Sequence, residues 1–195
     1  KAFGGFVKRL EKRELDPYAP LRRLVGPYIL RRLKTDKSVI ADLPDKTEMS
    51  AFCHLTKRQA VLYEQSVKDL REALGDADGI RRRGVILAFI LRFKQICNHP
   101  SHWLGDGLFD PSNSGKFVRL GEICEEIAAR QEKVLVFTQF RAMTAALSSF
   151  LGATFRREGR VLHGETPVKQ RKSLVDAFQK DDGPPYFVLS LKAGG

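Results

Sequence analysis

The sequence predicts an α/β fold in which a parallel sheet flanked by helices follows an N-terminal, mainly helical subdomain. Three observations predict it. Beyond residue 113, short apolar runs alternate with amphipathic stretches in strand–helix–strand–helix–strand order, the pattern of right-handed crossovers in a parallel sheet. Before residue 113, apolar positions recur at three and four, the period of a helix. The chain has 195 residues, 43% of them hydrophobic and 29% charged, which reads as one soluble, globular domain or two small subdomains sharing a core.

The elements follow in order. Residues 16–20, Asp-Pro-Tyr-Ala-Pro, read as a turn. The Arg- and Leu-dense stretch 21–33 is two pieces or a kinked helix, because Pro27 removes a backbone donor within it. Leu43-Pro44-Asp45 is another break, and moderate alternation over 49–55 suggests a short strand. Thr56 and Gln59 have capping-box spacing and open a helix with an apolar stripe at Ala60, Tyr63, Val67, Leu70 and Leu74. The Gly-containing segment 75–79 ends it. Arg81, Arg82 and Arg83 precede a second helix over 85–97, apolar nearly all round and so expected to be buried, which Pro100 stops.

Residues 98–114 read as a polar, Gly- and Pro-containing linker. A helix over 116–130 presents Phe117, Leu120, Ile123 and Ile127, and a buried strand over 134–137 follows. Met143, Leu147, Phe150 and Leu151 mark the next helix, and Val161-Leu162 the core of a brief strand. Thr166 and Pro167 are expected as N-cap and first residue of a helix that runs to Gln179 with Leu174, Val175 and Phe178 inward. A turn over 182–185 leads to a third strand, 187–189.

Composition narrows the function. The formal net charge of +11 favours an anionic partner, most often nucleic acid. The longest apolar run, 85–91, is far short of the roughly 20 residues of a membrane span. Three cysteines without a CxxC pair argue for a reducing compartment. Lys1 and the Gly194-Gly195 end are expected to be cuts or limits of order.

Ligands of open parallel sheets bind beyond the C-terminal ends of the strands. Three segments meet that rule: Thr138-Gln139, His163-Gly164, and Ser190-Leu191-Lys192 with Gly194-Gly195 behind it. They offer small or polar side chains, exposed N–H groups and nearby helix N-termini, a surface suited to phosphate.

Several other features carry less. Cys97, His99 and His102 fall within six residues, but their spacing fits no common structural zinc site. The runs Arg31-Arg32 and Arg81–Arg83 read as solvated faces, and Arg156, Arg157, Arg160, Lys169, Arg171 and Lys172 as better placed for DNA. His163 lacks a nucleophile partner, and Trp103 reads as a packing anchor.

A series of blocks, in order, carries a family resemblance. Leu30-Arg-Arg-Leu-Lys-Thr-Asp-Lys37, Leu43-Pro-Asp-Lys-Thr-Glu48, Leu55-Thr56 and Gln95-Ile-Cys-Asn-His-Pro100 resemble the linker and helical insertion of Swi/Snf-type ATPases. Ser114-Gly-Lys116 resembles the start of their second lobe. Lys133-Val-Leu-Val-Phe-Thr-Gln-Phe140 resembles motif IV of superfamily-two helicases, Leu162-His-Gly-Glu-Thr166 the next block, and Phe187-Val-Leu-Ser-Leu-Lys-Ala-Gly-Gly195 the start of motif V.

The resemblance implies a partial RecA-like sheet in an ATP-dependent translocase of double-stranded DNA. It divides the chain into the end of the first lobe and linker (1–46), a helical insertion with one short strand (47–113) and a partial second lobe (114–195). It places DNA contact at Thr138, Gln139, His163, Gly164, Ser190 and Lys192, and the ATP cleft near Gly194 and Gly195. The partners it implies are duplex DNA, ATP with Mg²⁺, and the first motor lobe of the same protein. The location it implies is the cytoplasm or nucleoid of a prokaryote, or a nucleus. Alternatives are a non-catalytic nucleic-acid-binding or regulatory lobe, and an RNA helicase lobe.

No G-x-x-x-x-G-K-[ST] is present. Ser114-Gly115-Lys116 is followed by Phe117, which has no hydroxyl for Mg²⁺. No Walker B pair follows a strand, and the arginine-bearing motif VI of the family would lie beyond Gly195. Phosphoryl transfer needs these parts together. The expectation is therefore no ATP hydrolysis by these 195 residues alone, and no bound cofactor or metal.

Overall fold

The computed structural model describes residues 19–29, 46–75 and 78–193. The breaks expected at 43–45, the Arg31-Arg32 pair and Gly194-Gly195 lie outside them. Two compact units are present, Lys1–Met49 and Ser50–Gly195. In the first, helix α1 (Ala19–Val25) gives way to a 3-10 turn over Gly26–Tyr28. The expected interruption thus occurs at Pro27, while Ala19 and Pro20 are helical rather than part of a turn.

In the second unit, residues 50–56 pair with no strand. The strand expected over 49–55 does not form, since alternation alone supplies no hydrogen-bonding partner. Helix α2 (Lys57–Gly75) begins with the expected capping box: the Thr56 N–H donates to Gln59 Oε1 at 3.1 Å, and the Gln59 N–H to Thr56 Oγ1 at 3.3 Å. The buried positions of α2 are Gln59 and Ser66, with Tyr63, Val67, Leu70 and Leu74 half-buried beside them. Ala60, expected inside, is exposed.

Helix α3 (Gly79–Asn98) packs on α2 through Tyr63 and Phe93, whose ring centroids are 4.6 Å apart, and through an Arg92–Asp69 ion pair at 2.6 Å. Its expected burial is a correction. Only Ile96 is fully buried, and Ile86, Leu87, Ile90 and Leu91 are exposed. The helix touches α2 on one side and, near its C-terminal end, helices α4 (Pro100–Leu104) and α5 (Gly115–Ala129), so the described residues leave one apolar side uncovered.

The stretch 98–114 is built rather than loose. Ring nitrogen Nε2 of the buried His99 lies 2.8 Å from the Asp110 carbonyl, and Nδ1 accepts the Ser101 N–H at 3.1 Å. The first contact is therefore an N–H donor and the ring is the neutral Nε2-protonated tautomer. Both nitrogens are occupied by backbone, which leaves His99 no lone pair for a metal.

Strands β1 (Val134–Thr138), β2 (Arg160–Leu162) and β3 (Tyr186–Ser190) form a parallel sheet in the order β1-β3-β2. Helix α6 (Met143–Phe155) joins β1 to β2, and α7 (Val168–Gln179) joins β2 to β3. Phe117 and Cys124 of α5 and Met143, Leu147 and Leu151 of α6 cover one sheet face over Tyr186 and Val188. Leu174 and Phe178 of α7 cover Leu162 and Phe187 on the other. An added Cβ at Gly159 would come 2.1 Å from the Tyr186 ring, so glycine is required where the chain enters β2. Lys133 Nζ donates to the carbonyls of Phe178 and Lys180, capping the C-terminal end of α7.

One boundary shifts. Pro167, not Thr166, is the N-cap of α7. The Thr166 hydroxyl accepts the His163 N–H at 3.1 Å and so closes the turn after β2 instead of capping the helix.

Candidate nucleic-acid interface

Parallel pairing sets the strand ends level. Thr138 lies opposite Ser190, and Leu162 opposite Leu189. The three expected segments therefore leave the sheet at one edge, with neighbouring strands about 4.8 Å apart.

Their residues differ in burial. Thr138 and Ser190 are buried, and the Thr138 hydroxyl accepts the Phe140 N–H at 3.2 Å, so its work is to shape the loop. Gln139, Gly164 and Lys192 are exposed. His163 is half-buried, and its Nδ1 accepts the Glu165 N–H at 3.3 Å, which fixes the loop around Gly164. A Cβ at Gly164 would meet nothing within 4 Å, and its φ is not positive, so neither packing nor backbone conformation demands glycine there.

Cations surround this edge. Lys94 of α3 donates to Gln139 Oε1 at 3.3 Å, and Lys116 of α5 to Asn98 Oδ1 at 2.9 Å. These four polar residues line the mouth of a cavity of about 460 Å³ floored by Phe117, Val136 and Met143. Lys169 and Lys172 stand exposed on the first turns of α7. Their charge is unfavourable against the positive end of a helix dipole, so stability of α7 does not account for them. Arg171 instead donates to the Thr166 carbonyl at 3.2 Å and the Gly164 carbonyl at 3.4 Å, bracing the loop.

The basic group at 156–160 is not part of this edge. It leads into β2, whose first residue is Arg160, and lies at the opposite end of the sheet, where Arg157 donates to the Asp182 carbonyl at 2.9 Å. Sequence reasoning missed Lys94, because a lone lysine on a helix distant in sequence gives no sign of which strand end it will reach.

Ser114-Gly115-Lys116 does not cradle a phosphate. The buried Ser114 hydroxyl donates to the Asn98 carbonyl at 2.6 Å and accepts the Phe117 N–H at 3.3 Å, capping α5. The Gly115 N–H donates to Gln59 Oε1 at 3.1 Å. With those groups occupied, the segment does not fit the triphosphate of ATP.

A parallel sheet with level strand ends and helices on both faces defines a RecA-like α/β lobe. Residues 5–102 match the family model of the SNF2-related domain, and residues 116–195 that of the helicase conserved C-terminal domain. The chain is 37% identical over 198 residues to YwqA of Bacillus subtilis, which carries an ATP-dependent helicase/translocase name, covering 98% of this chain and 21% of that protein. Among solved structures, the Sulfolobus solfataricus SWI2/SNF2 ATPase core domain matches with a TM-score of 0.73 at 36% identity, over 97% of this chain and 39% of that one. The same core in complex with double-stranded DNA matches with a TM-score of 0.72 at 35% identity, over 92% and 38%. The chain belongs to the Snf2 family of superfamily-two ATPases, and it spans about a fifth of the length of the first curated relative.

Proposed function

We propose that this chain supplies the DNA-gripping face of an ATP-driven translocase of duplex DNA, with Gln139, Gly164 and Lys192 meeting the sugar-phosphate backbone and Thr138, His163 and Ser190 holding their loops in place. The observation that carries this reading is the level row of parallel strand ends, with exposed Gln139, Gly164 and Lys192 on it and Lys94 beside it. Support comes from the DNA-bound Sulfolobus solfataricus core, which shares the fold at 35% identity. Contacts of this type position a protein without reading sequence, as a motor that moves along DNA requires.

ATP and Mg²⁺ belong, on this reading, to a cleft completed by the first motor lobe, with Gly194 and Gly195 at its edge. The 195 residues alone are expected to give no ATP turnover, whereas the protein carrying both lobes is expected to be stimulated by duplex DNA more than by RNA.

The test is fluorescence anisotropy of this chain on labelled duplexes of unrelated sequence over a salt series. Affinity should be alike for all sequences and fall linearly in log–log form with salt. Lys192→Ala should weaken binding and reduce the slope by about one. Sequence preference, or a slope that Lys192→Ala leaves unchanged, would overturn the assignment.

A further inference from the structure

Arg141, in the loop after β1, forms an ion pair with Glu165, in the loop after β2. The position of this pair follows from strand order. Because β3 lies between β1 and β2, the pair joins strands about 10 Å apart and reaches laterally across the end from which Ser190 and Lys192 emerge.

Both side chains are largely exposed, 58% for Arg141 and 63% for Glu165, and an ion pair in that setting does little for stability. Their stems, by contrast, are fixed. The Arg141 carbonyl accepts the Thr144 N–H at 2.9 Å and the Thr144 hydroxyl at 2.8 Å. The Glu165 N–H is held by His163, and Arg171 braces the carbonyls on either side of Glu165. Two mobile charged ends on rigid stems thus meet at the edge where a phosphate strand would lie. A carboxylate and a phosphate engage the guanidinium fork in the same way, so one displaces the other.

We propose that Arg141 is a phosphate-binding residue and that Glu165 occupies its guanidinium in the free protein, to be displaced by an arriving DNA phosphate. The inference rests on the DNA-backbone reading above and adds a residue and an internal competitor to it. A phosphate that must first displace a carboxylate is held less tightly than one meeting a free guanidinium, which suits a surface that releases the strand at every step.

The test is a double-mutant cycle on the complete 195-residue chain with a labelled duplex at fixed salt, using Glu165→Gln, Arg141→Ala and the pair. Glu165→Gln should tighten binding about five-fold and Arg141→Ala weaken it about five-fold, while Glu165→Gln in the Arg141→Ala background should gain less than about two-fold. Arg141→Lys keeps the charge but loses the fork, and should shrink the Glu165→Gln gain in the same direction. The same gain with and without Arg141 would show simple charge repulsion and overturn the displacement. If the parent chain shows no salt-dependent DNA binding, the DNA reading and the displacement fall together. If it binds and the cycle is additive, the displacement alone falls.

Discussion

Gln59 Oε1 accepts the Gly115 N–H at 3.1 Å, tying the first turn of α2 to the first residue of α5 across 56 positions of sequence. The same oxygen takes the Thr56 N–H, and Nε2 donates to the carbonyls of Ile96 and Cys97 at 2.8 and 3.2 Å. The fully buried amide therefore uses its whole hydrogen-bonding capacity to join three helices. Gly115 has no room for another residue, since an added Cβ would lie 1.9 Å from the His54 carbonyl oxygen. Gln59→Ala leaves buried donors and acceptors unpaired and should cost about 3 kcal/mol, read as a lower urea midpoint at unchanged slope. A loss below about 1 kcal/mol would mean that water replaces the amide.

Gly164 separates folding from binding. With open space around its missing Cβ and no positive φ, Gly164→Ala should leave the thermal midpoint where it is. If the DNA backbone packs against this loop, the added methyl should weaken duplex binding several-fold, by roughly 1 kcal/mol. Unchanged affinity would remove Gly164 from the interface.

Much of this was legible in the sequence, and the misses share a cause. The three strands and the Thr56–Gln59 box follow from local pattern, because period and capping are properties of neighbouring residues, and the parallel direction follows from the helices between the strands. The residues that bind the parts together were not legible. Gln59 reads as the far half of a cap, and nothing near it in sequence announces Gly115 or Ile96. Residues 98–114 read as a linker because buried His99 and Ser101 satisfy themselves on the carbonyls of Asp110 and Leu108, which composition scores as loop. Thr138 and Ser190 end neighbouring strands side by side, as expected, but their burial depends on how each loop turns. The failed burial of α3 shows that an apolar surface specifies a need for cover without specifying the cover.

The cysteines should react in a fixed order. Cys53 is exposed; Cys97 is half-buried, with burial raising its thiol pKa; Cys124 is buried, and its thiol is pushed up to about 11. At pH 8 very little of Cys124 would be thiolate, and its side chain is fully buried. Iodoacetamide followed by peptide mapping should label Cys53 first, Cys97 slowly and Cys124 only in urea. Labelling of Cys124 in the native protein at the rate of Cys97 would show that α5 opens away from the sheet.

Acid should destabilise the protein in two stages. The His102 ring meets Phe140 edge-on at 4.7 Å between centroids, and its buried Nδ1 has no hydrogen-bond partner among the described residues. Burial holds its pKa below the ordinary 6.5. The unfolded chain therefore takes up this proton first as pH falls, and the contribution of neutral His102 is complete above 6.5 and lost as pH falls through the folded value. Asp69 and Asp110 are held below 3.8, chiefly by side-chain hydrogen bonds from Gln65 and Ser112 respectively, so their contributions are lost only at lower pH. Urea midpoints should thus fall first as pH drops below about 6.5 and again as it drops below about 3.8. His102→Phe removes the titrating group while retaining an aromatic ring against Phe140, and should flatten the first stage without touching the second. Parallel pH profiles for the parent and His102→Phe would assign the first stage to another group and show that the ring next to Phe140 is not held neutral by burial.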